Sequence, residues 1–578
     1  MVSAVLDSAP PRASTRRRVL PETMLQATIW LGVTVVVVGP LLPLLYASVR
    51  TKPIYQAGGV FSLAAYRQLF GDPAYWRAVW NTAVFSGIAT VVAVGLGALF
   101  AVLCHRTTMR FGRVFTVLLL APIVLPPLGL MVGWTSIYGD SGYVTVVLAK
   151  VLHLPVWQLS SVLGMGLLGA TVFMPIAFLT CRAALEGTDS ALEDAALGAG
   201  ASPITVIRRI TLPLLRPAIL NSAILVFAIS FEALGIPLIL GQSAHIDLYA
   251  SYLYHGWQNS PTPDPAFVSA GAIVLIVFVS GLLLLRSVLL GAEQRFISVS
   301  GRRGGAHRPL DLGRWGPVAT GVVALYVLVT AIVPMVGLML MSFVQVLSTL
   351  VPPWQLITGD NWRIVLHDPT LHRSIVNSLV LAGGGALLTV AVVVLATFVA
   401  HRSRFALRAS LAPTLMYPRA VPGIALGIGF FWTYLMFTPG SLVRNNLWGE
   451  LLVLSVRNLT LAYIVIYPSM TRIGRDLDHA ARASGAGWAR TCRRILLPLL
   501  RPAVIGAYVL VFISMLNEFD ALVFLAKPST QVMSVTMLQN FTRGVAGPVA
   551  ALAMVQTLIV ASVLLIGAVA LVRSRRHA

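Results

Sequence analysis

The 578-residue chain is 57% hydrophobic and 11% charged, where an ordinary soluble domain carries about 25% charged residues. That balance excludes a soluble enzyme and points to a polytopic membrane protein. A formal charge of +22 would suit a nucleic-acid partner, but the distribution of the charges gives a different account and no nucleic acid is called for.

A bilayer core of roughly 30 Å takes about 20 apolar residues per helical span. Runs of this kind lie near residues 24–48, 79–103, 114–137, 159–181, 217–241 and 267–290, then 317–343, 375–400, 409–437, 450–470, 503–525 and 548–572. Backbone groups in lipid must be bonded within their own segment, and the alternation of a membrane barrel is missing, so the expected fold is all-α with about twelve spans. The first run is too long for a signal-peptide core and lacks a small-residue cleavage site, so it reads as a retained span.

With the N-terminus inside, the cytoplasmic segments hold 30 of the 42 Lys and Arg and the external loops 10; Arg419 and Arg457 fall within or beside spans. The excess follows the positive-inside rule. It places both termini in the cytoplasm, starting with Arg12, Arg16, Arg17 and Arg18 and ending with Arg573, Arg575 and Arg576. Cys104, Cys181 and Cys492 lie near cytoplasmic ends of spans, with a spacing that suggests neither a disulfide framework nor a metal site.

The chain repeats itself. Residues 195–218 (AALGAGASPITVIRRITLPLLRPA) and 480–503 (AARASGAGWARTCRRILLPLLRPA) agree at 14 of 24 positions without a gap. Asn81 and Asn377, and Glu232 and Glu518, correspond at nearly the same offset. Each copy has an even number of spans, so the two are parallel repeats about an axis along the membrane normal. The expected organisation is a basic N-terminus (1–23), a first six-span unit (24–290), a Gly/Arg-rich cytoplasmic linker (291–316), a second six-span unit (317–572) and a basic tail (573–578).

The repeated segment occupies the longest cytoplasmic loop of each half, between its fourth and fifth spans, at about 192–217 and 477–502. It reads as an elbow: a short helix with a small apolar face (Leu192, Ala195, Ala196), a glycine stop at Gly200, and a second helix opened by Ser202 and Pro203. Ala480, Ala481 and Gly485 repeat the design. A rigid helix with an alanine face suits docking into a partner's groove. Arg208, Arg209, Arg493 and Arg494 read as interfacial anchors.

Asp194, Ala195, Ala196 and Gly200, followed by Ile210, Leu212 and Pro213, resemble the EAA loop of ABC importer permeases. The second copy matches at Ala480, Ala481, Gly485, Ile495, Leu497 and Pro498, and departs at His479, where the family has Glu, with Asp478 adjacent. The resemblance implies two MetI-like six-helix permease units whose elbows seat in cytoplasmic ABC ATPase subunits. It also implies an extracytoplasmic solute-binding protein, and transport by alternating access. Segments such as Tyr417–Gly429 and Asn517–Leu525 look most like fused permeases of the ferric-iron type, with thiamine and aminoethylphosphonate as related solutes.

Chemistry of its own is not expected of this chain. Its only lysines are Lys52, Lys150 and Lys527, none preceded by glycine, so a phosphate-binding loop is impossible. ATP is expected to be used by a partner subunit, with no cofactor or metal bound here. Glu232 and Glu518, deep in their spans, point to a translocation path or to hydrogen bonds between helices. Arg419 either attracts an anion or pairs with a carboxylate such as Glu518, and pairing is the favoured reading. Pro122, Pro126, Pro127, Pro418 and Pro422 imply kinks, either lining the bundle centre or simply bending it. The rival reading is a secondary transporter of two six-helix halves driven by an ion gradient, with Glu232 or Glu518 as its proton site.

Overall fold

The computed structural model describes residues 15–54, 56, 58–153, 156–188, 191–258, 264–293, 309–345, 351–352, 355–437 and 446–576. Among these residues there are helices and isolated bridges but no strand. The first half contributes α1 (Thr15–Val38), α2 (Leu41–Ser48), α3 (Pro73–Arg106), α4 (Gly112–Leu119), α5 (Pro127–Tyr138), α6 (Val162–Gly187), α7 (Ala191–Gly198), α8 (Arg216–Phe231), α9 (Tyr249–Gln258) and α10 (Pro265–Glu293). The second half repeats the order as α11 (Gly316–Val327), α12 (Val333–Ser342), α13 (Pro369–Arg402), α14 (Arg408–Met416), α15 (Gly423–Met436), α16 (Leu447–Arg472), α17 (Asp476–Ala483), α18 (Leu497–Asn517), α19 (Met533–Thr542) and α20 (Ala546–Arg576). Adding ten to a label gives its counterpart.

The longest helices show how the sequence sets them. Both α3 and α13 run for 34 residues, about 50 Å at 1.5 Å per residue and so longer than a bilayer core is thick. Each opens on an Asp-Pro pair. Asp72 Oδ1 accepts from Ala74 N–H at 2.8 Å, and Asp368 Oδ1 accepts from Thr370 and Leu371 N–H at 2.8 and 3.0 Å, while the proline fills the first helical position, where no donor is needed. Each closes on His-Arg, basic residues suited to a helix C-terminus.

Among the described residues nine helices are long and apolar enough to cross a membrane, and the number reaches twelve only if three bent pairs each count as one span. The third and ninth spans are therefore not kinked helices, as their prolines suggested. They are broken, turning by 102° before Pro127 and 107° before Gly423, because Pro126 and Pro422 hold extended backbone at the break. The fifth span is also shorter than its apolar run. Helix α8 stops at Phe231 and the chain unwinds at Glu232; likewise α18 stops at Asn517, and the next residues form turns.

Each half sends its first span to the other. Helix α1 packs on α13 and α14, and α2 on α15; reciprocally, α11 packs on α4, and α12 on α5. Trp30 Nε1 donates to Ser410 Oγ at 2.8 Å, and Tyr138 Oη donates to the Val329 carbonyl at 3.1 Å. The crossings are close because equivalent glycines sit in them. A Cβ at Gly133 would lie 2.2 Å from the Pro334 oxygen, and one at Gly429 would lie 2.7 Å from the Pro40 oxygen. Of the expected linker, residues 294–308 lie outside the described residues. Within its described part, Leu310 pairs with the end of α3, donating to Arg106 O at 2.8 Å and accepting from Thr108 N–H at 3.0 Å.

Candidate functional site

Two regions carry the residues singled out above: the pair of elbows and a cavity between the halves. In the first elbow α7 ends in a Schellman motif. Gly200 adopts φ +85°, its N–H bonds Leu197 O at 3.0 Å, and Ala201 N–H bonds Ala196 O at 3.0 Å. In the second, Gly485 has φ +77° and Ala486 N–H bonds Ala481 O at 2.9 Å. Beyond each glycine the chain reverses into the helix that leads to the fifth or eleventh span. Asp194, Ala195, Gly200, Ala480 and Gly485 are exposed, Ala196 is half-buried, and Ala481 is buried, so Ala481 offers no docking surface in this form. Large apolar side chains stand out instead at equivalent places, Leu192 at 60% exposure and Leu477 at 43%.

The acidic residue that holds each elbow to the bundle is not Asp194 but its neighbour. Glu193 is buried, 3.5 Å from the Arg106 guanidinium, and its Oε1 accepts from Thr211 Oγ1 at 2.7 Å. Arg106 also donates to the carbonyl of Leu185, at the end of α6, at 2.7 Å. In the second half Arg402 and Asp478 repeat the pair at 2.8 Å, and Arg402 donates to Met470 O at the end of α16 at 3.1 Å. Thus the last residue of each 34-residue helix clamps both the end of the fourth or tenth span and the elbow helix. Both pairs are nearly shut off from solvent, with side chains 3–11% exposed. Removing one partner of such a pair is strongly destabilising, so each pair fastens its elbow to the bundle.

The cavity, of about 390 Å³, collects ionisable groups from both halves at the places where helices break. Glu232 is the residue after α8, Glu518 the residue after α18, and Arg419 lies in the tight turn Tyr417–Ala420 between α14 and α15. Arg457, on α16, joins them. Its guanidinium donates to Val421 O at 2.7 Å, approaches Glu232 of the first half at 3.4 Å and Glu518 of the second at 3.8 Å. Asp520 completes the lining. The expected pairing of Arg419 with Glu518 is therefore corrected: Arg457 occupies that carboxylate, because α16 presents it between the two broken helices. Arg419 has no ion pair within 4.0 Å among the described residues and is exposed into the cavity.

Below the charges, Ile229 on α8 and Leu510 and Ile513 on α18 line the cavity, so it extends toward the elbows. On the opposite side the halves meet in aromatic contacts. The Trp257 ring of α9 lies 5.2 Å from Phe431 and 5.9 Å from Phe524, and Phe519 packs where a Cβ at Gly235 would come within 2.8 Å of it. Arg457 escaped the sequence-based list although its position in an apolar span carries the same signal as Arg419.

This architecture, two parallel sets of broken and continuous spans with a duplicated elbow, matches the family described as binding-protein-dependent transport system inner membrane component, over residues 24–292 and 392–577. The chain belongs to that family. It is a fused, two-unit permease of the ABC importer type and a multi-pass membrane protein. It is 27% identical over 474 residues to a putative ferric transport system permease protein of Haemophilus influenzae, covering 79% of this chain and 71% of that one. It is 25% identical over 509 residues to a ferric transport system permease protein of Actinobacillus pleuropneumoniae, covering 85% and 70%. A probable ABC transporter permease of Sinorhizobium fredii is 26% identical over 541 residues, covering 88% and 90%.

Proposed function

We propose that this permease imports a small solute, ferric iron first among candidates, delivered by an extracytoplasmic binding protein and driven by two cytoplasmic ATPase subunits seated on the elbows. The observation that carries the reading is the pair of clamped elbows. The first short helix exposes Leu192 and Ala195 and the second Leu477 and Ala480, while a buried arginine–carboxylate pair joins each to two transmembrane helices of its half. A push delivered to the elbow is then a push on the bundle. The excess of Lys and Arg in alternate loops supports a cytoplasmic position for the elbows and both termini. The cavity closes on the far side through aromatic contacts and extends toward the elbows, the form expected of an importer at rest, and ATP-driven approach of the elbows would reverse it.

The test is coupled ATP hydrolysis by the chain reconstituted with its ATPase, comparing wild type with Gly200→Glu and Gly485→Glu, singly and together. Co-purification of the ATPase and hydrolysis should both fall in the double variant while membrane insertion stays intact. Solute movement driven by an ion gradient alone, with no ATPase retained, would sink the reading in favour of a secondary transporter. Uptake of labelled ferric iron by cells in which this is the sole permease tests the solute separately.

A further inference from the structure

We infer that Arg419 is the recognition cation of the central cavity, receiving an oxyanion group carried by the transported species; the inference rests on the cavity being the translocation path. Among the ionisable groups there, Arg457 is satisfied by Val421 O, Glu232 and Glu518. Arg419 has no hydrogen bond or ion pair among the described residues, although its side chain is open to the cavity. A guanidinium remains charged at any physiological pH and presents a planar fork of N–H donors that fits a carboxylate or phosphoryl group with two parallel bonds. Arg419 feels the charges of Glu232 and Glu518 without a direct bond to either, and a cation at membrane depth with no direct partner is costly and marks a functional place.

The repeat supplies an internal control. Pro122 and Pro126 in the first half correspond to Pro418 and Pro422 in the second, and between them Ile123 stands where Arg419 stands. Ile123 is 42% exposed and lines the same cavity. The same break is therefore built with an aliphatic side chain, so the turn does not require the arginine charge. Pro418, immediately before Arg419, and Pro422, three residues after it, restrict the backbone of the turn and so fix where the side chain leaves it.

The rest of the cavity fits a solute that also has a positive part. Glu232 Oε2 and Asp520 Oδ1 are buried without hydrogen-bond partners, and both residues line the space. Among the described residues no group of three or more His, Cys, Asp or Glu could hold a metal ion. A ferric ion crossing here would bring oxygen ligands of its own, and those ligands would meet Arg419. The oxyanion then has two sources, an anionic solute or the chelating ligand of a cation, and one experiment separates them.

Binding of 14C-citrate, 32P-phosphate and 55Fe-citrate to the purified permease–ATPase complex is measured by scintillation proximity for wild type, Arg419→Ile and Arg419→Lys. The isoleucine is what the first half already carries, and circular dichroism and thermal unfolding matching wild type report correct folding of the variants. Arg419→Ile should weaken binding of the preferred probe at least about tenfold, and Arg419→Lys, which keeps the charge but not the fork, should weaken it less. Preference for free citrate or phosphate identifies an anionic solute, and preference for 55Fe-citrate identifies the chelate. Binding of every probe unchanged in Arg419→Ile, or absent from wild type, overturns the inference. A Leu510→Trp variant, which fills the cavity away from Arg419, keeps the underlying reading separate. If it blocks ATP-driven uptake while Arg419→Ile binds and transports like wild type, the path stands and the oxyanion role falls. If it leaves uptake intact, the path itself is wrong.

Discussion

The two elbows have the same outline and different supports. In the first, Ser202 accepts from Thr205 N–H at 3.3 Å and so caps the helix after the glycine from within its own loop. In the second, Gly487 stands at that position and has no side chain to offer. The cap comes instead from Glu22 at the base of the first span, whose Oε1 accepts from Trp488 N–H at 3.0 Å. The carboxylates differ too: Thr211 supports Glu193, whereas the equivalent of Thr211 is Leu496 and Asp478 relies on Arg402. Duplication kept the arginine clamp in both halves and let the cap diverge. Among the described residues, Arg106, Ser202 and Thr211, all of its own half, hold the first elbow. The second is held by both, since α1 belongs to the first half in sequence and packs on the second in space.

The largest effect should come from what the elbows share. Arg402→Ala leaves Asp478 buried without its counter-charge, and Arg106→Ala does the same to Glu193, each costing about 3–5 kcal/mol; thermal unfolding in detergent should show a large drop for both, and a neutral response in either half would break the equivalence. Next comes the borrowed cap. Glu22→Ala should cost about 1–2 kcal/mol and raise amide exchange at Trp488–Thr491 while leaving Thr205 and Val206 unchanged. Adding Gly487→Ser to Glu22→Ala should restore part of the lost protection by rebuilding the local cap of the first elbow, and failure to do so would mean that Glu22 acts by something other than capping. The smallest effect is Ser202→Ala, about 1 kcal/mol or less, with faster exchange confined to the first elbow.

Much of this was legible in the sequence because it depends on local chemistry. Apolar runs of span length mark helices, the glycine at each elbow marks a left-handed stop, and a gap-free repeat announces duplication. The angle of a broken span was not legible: Pro126 and Pro422 specify a fixed φ and a missing donor, while the turn of 102° or 107° is set by what α5 and α15 pack against. Nor was the choice between Glu193 and Asp194. Adjacent residues on a helix point about 100° apart, so only the position of Arg106 decides which carboxylate is buried. Arg419 and Glu518 have opposite signs and neighbouring depth, which suggested a pair, but the intervening guanidinium of Arg457 arrives from a helix whose rotation the apolar pattern does not fix. The same is true of the exchanged first spans, since a lipid-compatible helix does not declare its neighbours.

That exchange bears on how the protein is made. Trp30 and its partner Ser410 are 380 residues apart, and a ribosome adding about 5–20 residues per second needs roughly 20–80 s to cover the distance. Through that interval α1 has no α13 or α14 to rest on, and its small polar groups must be tolerated by lipid or shielded by the insertion machinery. Assembly of this permease is consequently completed late, when the second half arrives to pack on α1, and a chain truncated before α13 would leave that helix without its resting place.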